Sequence, residues 1–187
     1  MALFLMLIGA ALALAAMWAK TRYWSFYGQG PDDYTFGDEF DIRQVFDGPL
    51  ICDGIIYGPM GRVVSRFTSE FEGSWDGNTG VLREVFHYDS GNVQERAWHL
   101  DVNADGQIIA TADDVVGAGR GYKSGNAVVL NYKIKLSDTA GGYVLQACDW
   151  MYLMPNGTIM NRNQFRKFGI KVAELVATIR PVDRVTS

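Results

Sequence analysis

The side chains that could do chemistry in this sequence fall into an acidic set and an aromatic, cationic set. Asp113 and Asp114 stand side by side, and Asp149 sits between Cys148 and Trp150, each at or near the end of an otherwise apolar segment; Arg120 lies between them in the chain. An acid in such surroundings must be solvated, paired, or held at a raised pKa by a pocket. In the last case it can serve as a general acid or base, which makes Asp113 and Asp149 the candidate catalytic groups. The plainer alternative is a network of ion pairs and turns. Neighbouring residues on a strand point to opposite faces, so Asp113 and Asp114 cannot share one cavity unless the strand bulges or ends there.

The second set suits binding. Arg96 and Trp98 share one strand face by parity, while Asp149, Met151 and Leu153 oppose Trp150, Tyr152 and Met154. If Tyr132 points inward, Trp98, Trp150 or Tyr152 can line an aromatic cavity, with Arg96, Arg162 or Lys167 as its polar anchor. Apolar walls for a tail and a fixed cation for a head are what an amphiphile requires. The expected ligand contacts are therefore Arg96, Trp98, Tyr132, Trp150, Tyr152 and Arg162. A solid core with surface arginines is the competing arrangement.

Other motifs point to structure. Asp101-Val102-Asn103-Ala104-Asp105-Gly106 copies the first half of a calcium loop, but Ala112 stands where a bidentate Glu is needed, so a hairpin turn is expected. His87 and His99 have no partner at metal-ligand spacing, and no metal or cofactor is expected. Cys52 and Cys148 read as small apolar side chains on strands, with a single disulfide possible only in an oxidising compartment.

The elements that must position these groups are short and alternating. Turn signals recur at Asp76–Gly80, Asp89–Asn92, Asn103–Gly106, Ser124–Asn126, Ala140–Gly142 and Pro155–Gly157. Arg62–Glu72 sets Val63, Phe67 and Phe71 on one face and Arg66 and Glu70 on the other. Asn126–Leu136 alternates most cleanly, with Val128, Leu130, Tyr132, Ile134 and Leu136 on one side. Further strands are expected near 81–88, 93–102, 107–113, 143–154, 158–166 and 168–181, making roughly eight to ten. Hairpin connections without a helical crossover favour an all-β, up-and-down antiparallel barrel of lipocalin type, able to enclose one small ligand. The divisions are 1–27 as a membrane anchor, 28–47 as a linker with a short helix near Phe40–Phe46, 48–181 as the barrel, and 182–187 as a tail.

Met1–Ala19 has no ionisable side chain, and its Leu/Ala/Met/Ile run is followed by Trp18, Lys20, Arg22, Tyr23, Trp24, Phe26 and Tyr27. Amphipathic aromatics and snorkelling bases of this kind mark a membrane interface and argue for a retained, single-pass transmembrane helix. Ala13-Leu14-Ala15 keeps a cleaved signal as the alternative. Lys20 and Arg22 would hold the domain on the cytoplasmic side by the positive-inside rule. At 187 residues with 48% hydrophobic and 13% aromatic content the chain can bury a full core. A net charge of -4 with 20% charged residues provides no basic field for a phosphate backbone, so nucleic acid is excluded as a partner.

Taken together, Gly73–Gly80, Ala112–Gly117, Ser124–Ala127, Asp149–Tyr152 and Asn161-Arg162 resemble a bacterial lipocalin-like family of unknown function, DUF3833, over roughly residues 45–181. The resemblance implies the barrel and a cell-envelope setting, with the domain periplasmic and anchored in the inner membrane. Members of that family often carry a lipidated cysteine after a signal sequence; here none precedes Cys52, and a transmembrane anchor would do the same work. Genes of such proteins are suggested to neighbour those for modifying membrane fatty acids, which implies a lipid ligand. Gly73-Ser74-Trp75 is similar to the Gly-x-Trp element with which lipocalins plug one barrel end. Three readings follow: a membrane-tethered module binding or presenting a lipid or other hydrophobic molecule, an enzyme acting on a lipid or isoprenoid, and an accessory subunit with a membrane-protein partner. An acid pointing into a closed cavity would favour the second, and a filled barrel with an exposed apolar patch the third.

Overall fold

Leu, Ala and Met are strong helix formers, and they fold as one continuous helix, α1, Ala2–Tyr23, whose charged side chains are confined to its last turn, in the computed structural model. Its 22 residues, at about 1.5 Å each, suffice to cross a hydrocarbon core of roughly 30 Å. By length and composition α1 fits a membrane anchor or a signal sequence alike. The structure describes residues 1–23 and 25–182. Of the expected interfacial belt, Trp24 and the side chain of Arg22 lie outside the described residues, as do residues 183–187 of the tail. Trp18 and Tyr23 pack edge to face at 6.2 Å. Met1–Asp33 forms one compact unit and Tyr34–Ser187 a second.

The second unit is a closed barrel in which every strand pairs antiparallel with the next and the last pairs with the first. The described strands are β1 Gly48–Tyr57, β2 Val63–Asp76, β3 Thr79–Tyr88, β4 Val93–Val102, β5 Gln107–Thr111, β6 Gly119–Ser124, β7 Ala127–Lys135, β8 Val144–Leu153, β9 Ile159–Lys167 and β10 Ile170–Pro181. Alternation along β2 and β7 turns Phe67, Phe71, Val128, Leu130, Tyr132 and Ile134 into the core, as their period requires. Val63, assigned to the same face, is exposed where β2 begins.

Two sequence expectations need correction. β6, Gly-Arg-Gly-Tyr-Lys-Ser, was not anticipated, because two glycines lower its strand propensity; a side chain at Gly121 would start 2.2 Å from the Val129 carbonyl oxygen, so the close pass of β7 requires glycine there. β5 ends at Thr111, so Asp113 and Asp114 lie on the connection to β6 and not on a strand.

One end of the barrel is shut by the segment before β1. This stretch falls within the linker expected from the sequence, yet from Tyr34 it belongs to the barrel unit. Asp41 caps a single helical turn, α2 Ile42–Val45, by accepting from the Arg43 amide. Phe40, Ile42 and Phe46 enter the core, and each such burial contributes roughly 1.5–3 kcal/mol. The Phe40 amide donates to the Gly125 carbonyl at 2.8 Å, and the Trp75 indole N–H donates to the Phe46 carbonyl at 3.0 Å. A side chain at Gly73 would start 1.7 Å from that carbonyl oxygen, so only glycine allows β2 to pass. Thus the Gly-x-Trp element clamps the plug: Gly73 makes the room and Trp75 fastens it.

Candidate ligand-binding cavity

The inward side chains leave a cavity of about 130 Å³ inside the barrel. That is close to the volume, about 150 Å³, at which an apolar protein cavity accepts a benzene ring. Phe67, Phe71, Phe86, Trp98, Phe165 and Leu175 supply apolar wall. Phe67 packs edge-on to Phe86 at 5.3 Å, and Trp98 packs edge-on to Tyr132 at 5.2 Å.

The polar part of the lining consists of Glu84 on β3, Arg96 on β4, Tyr132 on β7, Asp149 on β8, and Asn161 and Asn163 on β9. Among the described lining residues Arg96 is the only cation. Its guanidinium lies 4.2 Å from the centre of the Trp98 ring, a cation–π contact made possible by their shared parity. Arg96 also meets Asp114, whose connection folds over the barrel end, in an ion pair of 3.1 Å. Arg96 Nε, Arg96 Nη2 and Asp114 Oδ1 are buried without a hydrogen bond. Burial works against the Arg96 charge; Tyr132, Glu84 and Asp114 outweigh it and raise the guanidinium above its usual value.

Glu84 is the acid that sequence reading missed. It is the register partner of Arg96, is 7% exposed, and makes no hydrogen bond or ion pair among the described residues. Burial pushes its carboxyl up to about 8, with Arg96 pulling the other way and Asp149 and Asp114 adding to the rise. Asp149 accepts a short hydrogen bond from the Asn161 side chain, and burial nevertheless raises it to about 6. Asn163 donates to the Tyr132 hydroxyl at 2.8 Å, while its own Oδ1 is buried and unpartnered. The inward parity of Leu82 and Phe86 in Leu82-Arg83-Glu84-Val85-Phe86 was the available signal for Glu84.

The structure therefore gathers Arg96, Trp98, Tyr132 and Asp149 and separates the other candidates. Trp150 and Tyr152 have the parity opposite to Asp149 and face outward, stacked 6.0 Å apart, with Tyr34 5.2 Å from each. Arg162 is also outward, held by Glu174 at 2.6 Å, and Lys167 lies 3.4 Å over the Tyr143 ring. Asp113 is exposed and lies outside the cavity lining. Both faces of β8 carry large apolar residues, so composition did not reveal which of its parities was inside; Asp113 lies beyond the end of β5, on the connection to β6.

The remaining motifs are structural. Asn103 Oδ1 accepts from the Asp105 and Gln107 amides, closing the β4–β5 turn where the half calcium loop was noted. Among the described residues no three His, Cys, Asp or Glu side chains converge as a metal site, and His87 and His99 are exposed. Cys52 and Cys148 are free and buried, the first lining the cavity and the second one position off the inward parity of Asp149, so no disulfide links them.

An up-and-down antiparallel barrel, plugged at one end and hollow over a mixed apolar and polar lining, defines a lipocalin-like, calycin-type protein. The sequence profile described as "Protein of unknown function (DUF3833)" matches residues 21–181, and the chain belongs to that family. Among solved structures the barrel is similar to an S-type phycobiliprotein lyase, CPES, from Guillardia theta. The TM-score is 0.55 at 6% identity, over 82% of this chain and 97% of that one, a likeness of fold. No curated protein matches the sequence.

Proposed function

We propose that this protein is a membrane-tethered barrel that binds or presents a hydrophobic molecule, a lipid or lipid-derived species, at the bacterial cell envelope. The observation that carries the reading is the cavity itself: aromatic walls enclose a few polar groups that lack enough partners of their own. The similar fold of a phycobiliprotein lyase supports the use of such a barrel for binding. Helix α1 supports the tether. A cavity of about 130 Å³ holds one short apolar segment, so a long acyl chain would enter by its end only.

Native mass spectrometry with lipid extraction, on protein purified gently from its own membranes, tests the reading. A stoichiometric co-purifying hydrophobic molecule is expected. An empty barrel bound to other membrane proteins would replace this reading with that of an accessory subunit.

One observation favours a catalytic variant: Asp149 lines the cavity with its carboxyl raised to about 6, within reach of proton transfer near neutral pH. Conversion of the extracted lipid by wild type, and not by Asp149→Asn, would establish it. No conversion by wild type leaves binding alone.

A further inference from the structure

The sequence suggested that a cation anchors the ligand's head, which would suit a carboxylate. The arrangement of charges inside the barrel points elsewhere. Arg96, the only described cation in the lining, already faces Asp114 at 3.1 Å. Two further carboxyls, Glu84 and Asp149, line the same cavity. A bound carboxylate would be a fourth acid competing for one guanidinium in a low-dielectric space, where like charges are costly. An ammonium group would find the Trp98 ring already covered by Arg96, and could pair with Glu84 only by ionising a buried acid.

We infer that the polar end of the ligand is an uncharged hydrogen-bond acceptor, a carbonyl oxygen, which accepts a hydrogen bond from the Glu84 carboxylic acid. This rests on the reading of the cavity as a binding site. Glu84 fits because it is buried on β3, opens on the cavity, and makes no hydrogen bond among the described residues. A buried acid without a partner is most stable in its neutral form, and a neutral carboxyl is a hydrogen-bond donor. The groups that act on it from the surrounding elements are Arg96 on β4, Asp114 on the β5–β6 connection and Asp149 on β8; Cys52 on β1, Tyr88 on β3 and Tyr132 on β7 face it and are raised by it in turn. Arg96 alone favours ionisation of Glu84; burial, Asp149 and Asp114 oppose it, and the acid stays protonated up to a pH of about 8.

Three probes of equal apolar size separate the possibilities: cyclohexanone, cyclohexanecarboxylate and cyclohexylamine. Their affinities are measured by titration calorimetry on the full chain in lipid nanodiscs, with empty nanodiscs subtracted. At neutral pH cyclohexanone is expected to bind at least about tenfold more tightly than either charged probe, the scale of one hydrogen bond to a buried group. Its affinity should fall as pH rises through about 8, where Glu84 loses its proton. Glu84→Gln, which keeps a donor, should bind cyclohexanone without that fall. Preference for the carboxylate or the amine, or a wild-type profile flat across this range, would overturn the inference while leaving a binding cavity in place. Failure of all three probes to bind would overturn the cavity reading as well.

Discussion

Glu84 and Arg96 are register partners on neighbouring strands and both point into the barrel, yet the ion pair of Arg96 is with Asp114, from a connection at the barrel end. Strand pairing sets the two side by side but does not bring their charged ends within 4 Å, so a carboxyl remains inside with no partner of its own. Much of what can be tested follows from that mismatch.

Stability should depend on pH through the buried acids. Glu84 rises from 4.5 to about 8 on folding and Asp149 from 3.8 to about 6. A raised folded-state value means that the native protein holds the proton more tightly than the unfolded chain. The stabilisation is complete below the unfolded values and is lost as pH rises, up to about 6 for Asp149 and about 8 for Glu84. Thermal unfolding followed by circular dichroism should show Tm falling between pH 5 and 8. Glu84→Gln should flatten most of this slope; a wild-type Tm that rises across the window would refute the assignment.

Arg96 and Arg162 should differ sharply when truncated. Arg96→Ala strips the cation from Asp114 and uncovers the Trp98 ring, and loss of one partner from a buried pair costs about 3–5 kcal/mol. Arg162→Ala breaks a partly exposed pair with Glu174 on the outer wall and should cost roughly 1 kcal/mol or less. Denaturant titration measures both. Retention of a co-purifying ligand should stay unchanged in Arg162→Ala.

The plug should depend on Gly73 and Trp75. Gly73→Ala drives a methyl group into the Phe46 carbonyl and is expected to destabilise the barrel by about 1–3 kcal/mol or more. Trp75→Phe removes only the indole hydrogen bond to that carbonyl and a little surface, about 1 kcal/mol. Equal stability of Gly73→Ala and wild type would show that the plug is not seated against β2.

The two thiols should be inert in the native state. Burial raises both, Cys148 to about 12 and Cys52 further, so almost no thiolate is present near neutral pH. An aromatic disulfide reagent should label neither until denaturant is added, and non-reducing mass analysis should find no intramolecular bond. Rapid labelling of the folded protein would contradict the placement.

Asp113 and Asp149 provide a matched control. Asp113→Asn, on an exposed connection, should change stability by less than about 0.5 kcal/mol. Asp149→Asn disturbs the Asn161 and Asn163 contacts and should remove one step of the pH dependence described above.

By itself the sequence determined the barrel, the apolar first helix and the family. Two-residue alternation and Gly- or Asn-containing turns are local properties, set by a strand's pleat and by backbone sterics. It also determined that Arg96 and Trp98 lie together, since residues two apart on a strand must. Only the tertiary structure decided which parity of β8 and β9 faces inward. Trp150 and Tyr152 are as apolar as Met151 and Leu153, and their outer face is covered in part by Tyr34, more than a hundred residues away. Closure of the barrel likewise decided that Glu84, Arg96, Asp149 and Asn163, from four strands, meet around one cavity, and that Asp114 reaches Arg96 first. Such convergence depends on strand order, register and the fold of a distant connection, none of which any single segment encodes.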